Sequence, residues 1–250
     1  IYTLSLHDAL PIFSAKEIST IRQWISEGAV WPDDGWRPEK HWAYVAPVKA
    51  KVPQIKAAPP INPIDGFIFA RLEKEGLPLN PPADPYLLIR RLYLDVIGLP
   101  PTIAEADAFA MKPTEEAYAK LVDDLLKRAQ FGEKWARSWL DLARYADSDG
   151  YQRDGFRDIW LYRDWVIHAL NADVPYDRFS IEQIAGDLLP NATEQQVIAT
   201  GFHRNTALNL EAGTDPEEDR VKQLVDRVNT TGTVWLGSSI GCAQCHNHKF

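Results

Sequence analysis

The two cysteines of this chain stand three positions apart, and a histidine follows the second directly: Cys242, Ala243, Gln244, Cys245, His246. C-x-x-C-H is the attachment spacing of c-type haem. Two thiols add to the vinyl groups of the macrocycle, and the adjacent imidazole reaches the iron. On a helical turn these positions are i, i+3 and i+4 and share one face. Gly237 and Gly241 leave room for a flat group to come close. Three rival readings stand beside this one. Zinc could take Cys242, Cys245, His246 and His248, although zinc sites usually bring a second ligand pair from distant sequence. A redox dithiol of thioredoxin type shares the C-x-x-C but follows a strand and opens a helix, whereas a helical pattern precedes it here. Chance is the third. If iron is held, His246 is its proximal ligand and His203 a candidate distal one, with His168 and Met111 as further options. A methionine would raise the reduction potential and a histidine would lower it.

A second group of chemistry-bearing residues lies in two long polar loops. One is ADSDGYQRDGFRD, residues 146–158, and the other is FHRNTALNLEAGTDPEED, residues 202–219. Loops of this length in a compact domain are commonly functional or disordered. The candidate catalytic residues in and beside them are Arg144, Tyr145, Asp147, Asp149, His203 and Arg204. The same residues could equally form a structural ion-pair network. The spacing of Asp147, Asp149 and Gly150 resembles a calcium loop but lacks its later bidentate glutamate. Glu211, Asp215, Glu217 and Glu218 sit at a helix start, where acidic residues complement the dipole without any catalytic role.

The elements that must position these groups are helical. Ser14 and Glu17 form a capping box before Ile18, Ile21, Trp24 and Ile25, which predicts a helix over 15–27 ended near Gly28. Residues 37–62, rich in proline and tryptophan, are expected to be a linker. From residue 63 the apolar periodicity stays near 3.6. Helices are expected at 64–75, 87–97, from Thr102, at 114–128, 132–145, 159–170, from a Ser180 cap through Leu188 with Glu182 in the first turn, at 193–200 and at 217–236. Strand signals are nearly absent. The fold class is therefore all-α: an irregular multi-helix domain over 63–250 with long loops, preceded by one orphan helix.

Composition bounds the rest. The 250 residues are 45% hydrophobic and 25% charged, ordinary for a globular protein. The net charge of −8 argues against nucleic acid as a partner. No apolar run is long enough to cross a membrane. The nine tryptophans fit a core built on large rings. The first twelve residues, IYTLSLHDALPI, lack the form of a signal peptide. They coincide with the translation of a common short-read sequencing adapter. The expectation is that residues 1–12 are an artefact and that the chain is a fragment, so His7 and Asp8 receive no role.

Several long motifs occur in order: WLDLARYADSDGYQRD, IWLYRDWVIHALNADVPYDRFSIEQIAGDLLP, ATGFHRNT and DRVNTTGTVWLGSSIGCAQCHNHKF. Together they resemble the planctomycete-type cytochrome family from about Asn62 to Phe250. In that family an N-terminal cytochrome c domain is followed by a helical domain of unknown function and a further domain. FSAKEISTIRQWISEGAVWP is similar to the last helix of such a cytochrome c domain, which assigns residues 13–36 to its truncated end. The resemblance implies export, a periplasmic or otherwise extracytoplasmic location and one covalent haem c in this fragment, on Cys242, Cys245 and His246. It implies no settled reaction. The leading expectation is electron transfer to a redox partner protein or a neighbouring domain. The alternatives are a haem- or metal-dependent oxidoreductase or polysaccharide-active enzyme using the two loops, and a structural zinc module.

Overall fold

The computed structural model describes residues 14–29, 42–55, 62–151 and 153–247. Residues 1–12, much of the expected linker and His248 lie outside the described residues. The chain divides into two compact units, Ile1–Asn80 and Pro81–Phe250. Among the described residues there are ten α-helices and no sheet strand, so the fold is all-α.

The first unit holds α1 (Ala15–Ser26) and α2 (Pro63–Glu75). The capping box of α1 forms in full. The Glu17 amide donates to Ser14 Oγ at 3.3 Å, and the Ser14 amide donates to Glu17 Oε2 at 2.6 Å. Ile18, Ile21, Trp24 and Ile25 lie on the exposed side of the burial scale throughout. Helix α2 is capped by Asn62, starts at Pro63 and stops at Gly76, whose φ of +65° only glycine adopts freely. Gly66 lets the segment before α2 approach its backbone. A Cβ there would stand 2.5 Å from Val52 Cγ1.

The second unit has two cores. Helices α3 (Pro85–Val96), α4 (Ile103–Met111) and α5 (Glu115–Leu126) enclose the first, built on Ile89, Leu92, Tyr93, Ile97, Phe109 and Leu125. Each of the three has a side-chain N-cap, from Asp84, Thr102 and Thr114. Helices α6 (Ala129–Ala143), α7 (Trp160–Asn171), α8 (Tyr176–Ala185), α9 (Glu194–Ala199) and α10 (Pro216–Leu236) surround the second. Tyr162, Trp165, Val166, Phe179, Ala199 and Phe202 are buried there, with Trp139 and Trp235 packed against them. Trp139 meets Phe179 edge-on at 4.8 Å and Trp235 at 5.8 Å. The indoles of Trp139 and Trp235 and the phenol of Tyr162 carry polar ends that must be paired when buried. Gln183, fully buried, accepts from Trp139 Nε1 and Tyr162 Oη, both at 2.7 Å. Ser180 Oγ accepts from Trp235 Nε1 at 3.0 Å.

Two sequence expectations need correction. Ser180 does not cap a helix: it is buried inside α8, which starts four residues earlier behind Pro175. The core bond to Trp235 and the need to bury Phe179 determine this, and neither is visible in local sequence. Glu182, placed by the sequence in the first turn, is buried mid-helix and paired with Arg178 at 2.8 Å. The loop expected over 202–219 also begins late. Residues Thr200–Asn205 form a 3-10 helix that drives Phe202 into the core.

Candidate functional site

Helix α10 carries the chain to the cysteine motif. Asp215 caps it by accepting from the amides of Glu217 and Glu218 at 3.0 and 2.8 Å, and Pro216 occupies its first position. It ends at Gly237, with φ +60°. The chain then folds back, because Gly232 lets Ile240 pack on the helix: a Cβ there would stand 2.8 Å from Ile240 Cδ1. A 3-10 turn, Gly241–Gln244, follows. The amides of Cys245 and His246 both donate to the Cys242 carbonyl, at 3.3 and 3.4 Å. One turn therefore carries all three motif residues. Both thiols are free and exposed, and so is the His246 ring.

Beside this turn runs an apolar groove of about 290 Å³, lined chiefly by Leu224, Val225 and Val228 of α10 and by Ile240, Gly241 and Ala243. His246 Nδ1 lies 2.8 Å from the Asn247 carbonyl oxygen. A carbonyl only accepts, so Nδ1 is the donor in this contact and Nε2 is the ring nitrogen open to a ligand. None of Cys242, Cys245 and His246 lines this groove; their turn reaches it through Gly241, Ala243 and Gln244, and offers two exposed sulfurs and one imidazole nitrogen beside it. The donor set, two thiols and an adjacent imidazole on one turn, is of the chemical type that holds a macrocycle covalently with one axial nitrogen. Among the described residues, no three His, Cys, Asp or Glu side chains converge as a metal-binding group.

His203 sits elsewhere. It lies in the 3-10 helix Thr200–Asn205, half-buried, edge-on to Phe202 at 5.3 Å. Burial pushes its pKa below the usual histidine value, against a hydrogen bond to the Ile184 backbone. Arg227 adds to the depression, and Asp187 opposes it. It does not line the groove beside the cysteine turn, and neither do His168 or Met111.

The two long loops do come together, against α10. An antiparallel bridge joins Ser148 to Phe156, and the Asp149 amide donates to the Gly155 carbonyl at 2.9 Å. Inside this small hairpin, Arg157 Nε pairs with Asp149 Oδ1 at 3.2 Å, and both residues are buried. The Arg157 guanidinium also donates to the backbone carbonyls of Arg204 and Asn205, which ties the first loop to the start of the second. Burial pulls the Arg157 pKa down; Asp149 counters this, and the neighbouring Arg204 adds to it. Tyr145 Oη donates to Asp147 Oδ1 at 2.6 Å, and burial followed by that carboxylate pushes the phenol up to about 12. Arg144, left-handed at φ +59° where α6 ends, forks onto Asp226 of α10 with bonds of 2.5 and 2.8 Å. Burial works to raise the Asp226 pKa, but hydrogen bonds led by Arg144 hold it below the usual carboxylate value.

The six candidates thus fall into separate contacts: Tyr145 with Asp147, Asp149 with Arg157, Arg144 with Asp226, and His203 and Arg204 on the 3-10 helix. Sequence reasoning did not single out Arg157, Asp226 or Arg227. Arg157 stood in the first loop, but no spacing marked it as the residue that would turn inward. Asp226 and Arg227 fall within the helix expected at 217–236, and no local spacing pairs them with the loops.

No curated protein and no solved structure matches the chain. Residues 63–250, from the start of α2 through the cysteine turn, match the family PSCyt2, described as "Protein of unknown function (DUF1549)". That stretch is most of the chain, and the chain belongs to the PSCyt2 family.

Proposed function

We propose that this chain holds one haem covalently through Cys242 and Cys245, with His246 as the proximal axial ligand, and serves in electron transfer. The observation that carries the proposal is the pairing of a C-x-x-C-H turn with an apolar groove along α10. A macrocycle buries a large flat hydrophobic face, and exposed thiols without such a face would have nothing to seat it against. The His246 tautomer supports the same reading, since a ligating histidine ordinarily donates its other ring N–H to a carbonyl. Bound there, haem would supply a one-electron redox centre. The protein's own residues would fix its orientation, exclude water from one face with Leu224, Val225, Val228 and Ile240, and set the axial nitrogen. The distal ligand in this proposal is supplied by another domain, since His203 is half-buried on its 3-10 helix and does not line the groove. Covalent attachment of this kind takes place outside the cytoplasm, so the parent protein belongs in the periplasm or another extracytoplasmic space. There it would sit beside a cytochrome c domain of the planctomycete type and pass electrons to that domain or to a redox partner.

The test is maturation of the chain in a host with the cytochrome c assembly machinery, followed by denaturing gel staining and a pyridine haemochrome spectrum. Covalent haem is expected in the parent. It should vanish in the double variant Cys242→Ala, Cys245→Ala. In His246→Ala the stain should persist while the low-spin spectrum is lost, because the axial nitrogen sets the state of the iron. Purified chain that carries zinc and no haem at this motif would overturn the proposal.

A further inference from the structure

A second site lies where the two loops meet α10. A cleft of about 230 Å³ is lined by Arg157, Arg204 and Arg227, by the carboxylates Asp149 and Asp158, and by Phe156, Ile159 and Leu208. In a chain of net charge −8, three guanidiniums on one small cleft are unexpected. One of them is accounted for, because Arg157 is neutralised by Asp149 and spends its other donors on backbone carbonyls. The other two are not. Arg204 and Arg227 form no salt bridge among the described residues, whereas nine other pairs do form. Arg227 donates to Gln223 Oε1 at 3.3 Å, but its Nε is fully buried without an acceptor. Leaving a buried donor unsatisfied costs about 1–3 kcal/mol, more when charged. The side chain of Asn205, whose carbonyl Arg157 engages, is likewise buried with both polar ends unpaired.

We propose that this cleft binds an organic oxyanion, a carboxylate or sulfate group carried on a small ring. Arg204 and Arg227 would clamp the charged end, as guanidiniums do when they fork onto oxyanions. Asp158 opposes any anion here and tempers the site's affinity. The volume sets the ligand size. It exceeds the roughly 30 Å³ share of one water many times over, yet falls short of the ~300–1,000 Å³ of sites for drug-sized ligands. A bare ion would leave most of the cleft unfilled. The remaining wall is apolar, and Phe156, 79% exposed at the rim, offers a flat face for a ring. The site is independent of the haem proposal, since none of its residues belongs to the cysteine turn or the groove beside it.

Calorimetric titration of the chain at constant ionic strength with benzoate, phenyl sulfate and benzyl alcohol tests this. Saturable one-to-one binding is expected for benzoate, phenyl sulfate or both, with the tighter of the two identifying the oxyanion. The neutral alcohol should not bind. Arg204→Gln, at an exposed side chain, should weaken binding about ten-fold, and Arg227→Gln likewise. Asp158→Asn should tighten it. No saturable binding by either anion, equal binding of the alcohol, or unchanged affinity in Arg204→Gln would each overturn the proposal.

Discussion

Replacing Asp149 with alanine removes the one carboxylate that neutralises Arg157. Asp149 and Arg157 are 8% and 7% exposed, and the pair joins the 146–158 hairpin to the residues that open the second loop. At 3.2 Å, an effective dielectric of about 20 gives a gross Coulomb term near 5 kcal/mol. Without the carboxylate, the guanidinium stays buried against two carbonyls and cannot shed its charge. Breaking a buried pair from one side costs roughly 3–5 kcal/mol. The comparison is Arg144→Ala, which breaks the bonds to Asp226. Those are shorter, at 2.5 and 2.8 Å, but the side chains are 41% and 33% exposed. Water screens that pair, and its loss should cost only about 0.2–1 kcal/mol. At roughly 2–4 °C per kcal/mol for a unit of this size, Asp149→Ala should lower Tm by about 6–20 °C and Arg144→Ala by no more than about 4 °C. Calorimetric melts measure both. Limited trypsin digestion should also cut the 146–158 hairpin faster in Asp149→Ala than in the parent. The double variant Asp149→Leu, Arg157→Met should recover much of the loss, since an apolar pair leaves no stranded charge. A drop in Asp149→Ala no larger than that in Arg144→Ala would refute the claim that burial, not bond length, sets the strength of these pairs.

Gly132→Ala should destabilise the α6–α7 contact strongly, because the added Cβ would stand 2.5 Å from the Ile167 carbonyl oxygen and 2.6 Å from the Asn171 amide. Overpacking of this kind costs about 1–3 kcal/mol, read as a fall in the urea midpoint. Glu105→Gln tests a pH dependence. The Thr102 amide foremost, with the Thr102 hydroxyl and Arg128, outweighs the opposing effect of burial and holds the Glu105 carboxyl down to about 2, against 4.5 unperturbed. A depressed acid contributes stability that is complete above the unfolded pKa and is lost as pH falls towards the folded one. The variant should therefore melt below the parent at pH 7, by no more than about 1 kcal/mol because the group is part-exposed. That gap should close between pH 4.5 and pH 2. A gap that persisted at pH 2 would mean that the charge is not its source.

Local signals carried much of this fold. The capping residues Ser14, Thr102, Thr114, Thr193 and Asp215, and the stops at Gly76 and Gly237, sit where the sequence placed helix ends. Caps and left-handed stops act within one turn, so a window of a few residues contains their whole cause. The same holds for the cysteine motif, whose three residues share one turn because they are three and four positions apart. Where a residue's partner is distant in the chain, local pattern failed. Ser180 looked like a cap and became a core acceptor because Trp235, 55 positions on, needed one. Arg144 was visible as a candidate, but Asp226, 82 positions away, was not visible as its partner.

The all-α class, most helix boundaries and the positions of the thiols and imidazole follow from propensity, periodicity and spacing along the chain. What stands beside them comes from long-range packing. The folding-back of Ile240 onto Gly232 makes the apolar groove next to Cys242. The inward turn of Arg157 locks the two loops together and brings Arg204 and Arg227 to one cleft. Burial and the pairing of charges depend on which surfaces meet, and that is settled by the packing of whole helices.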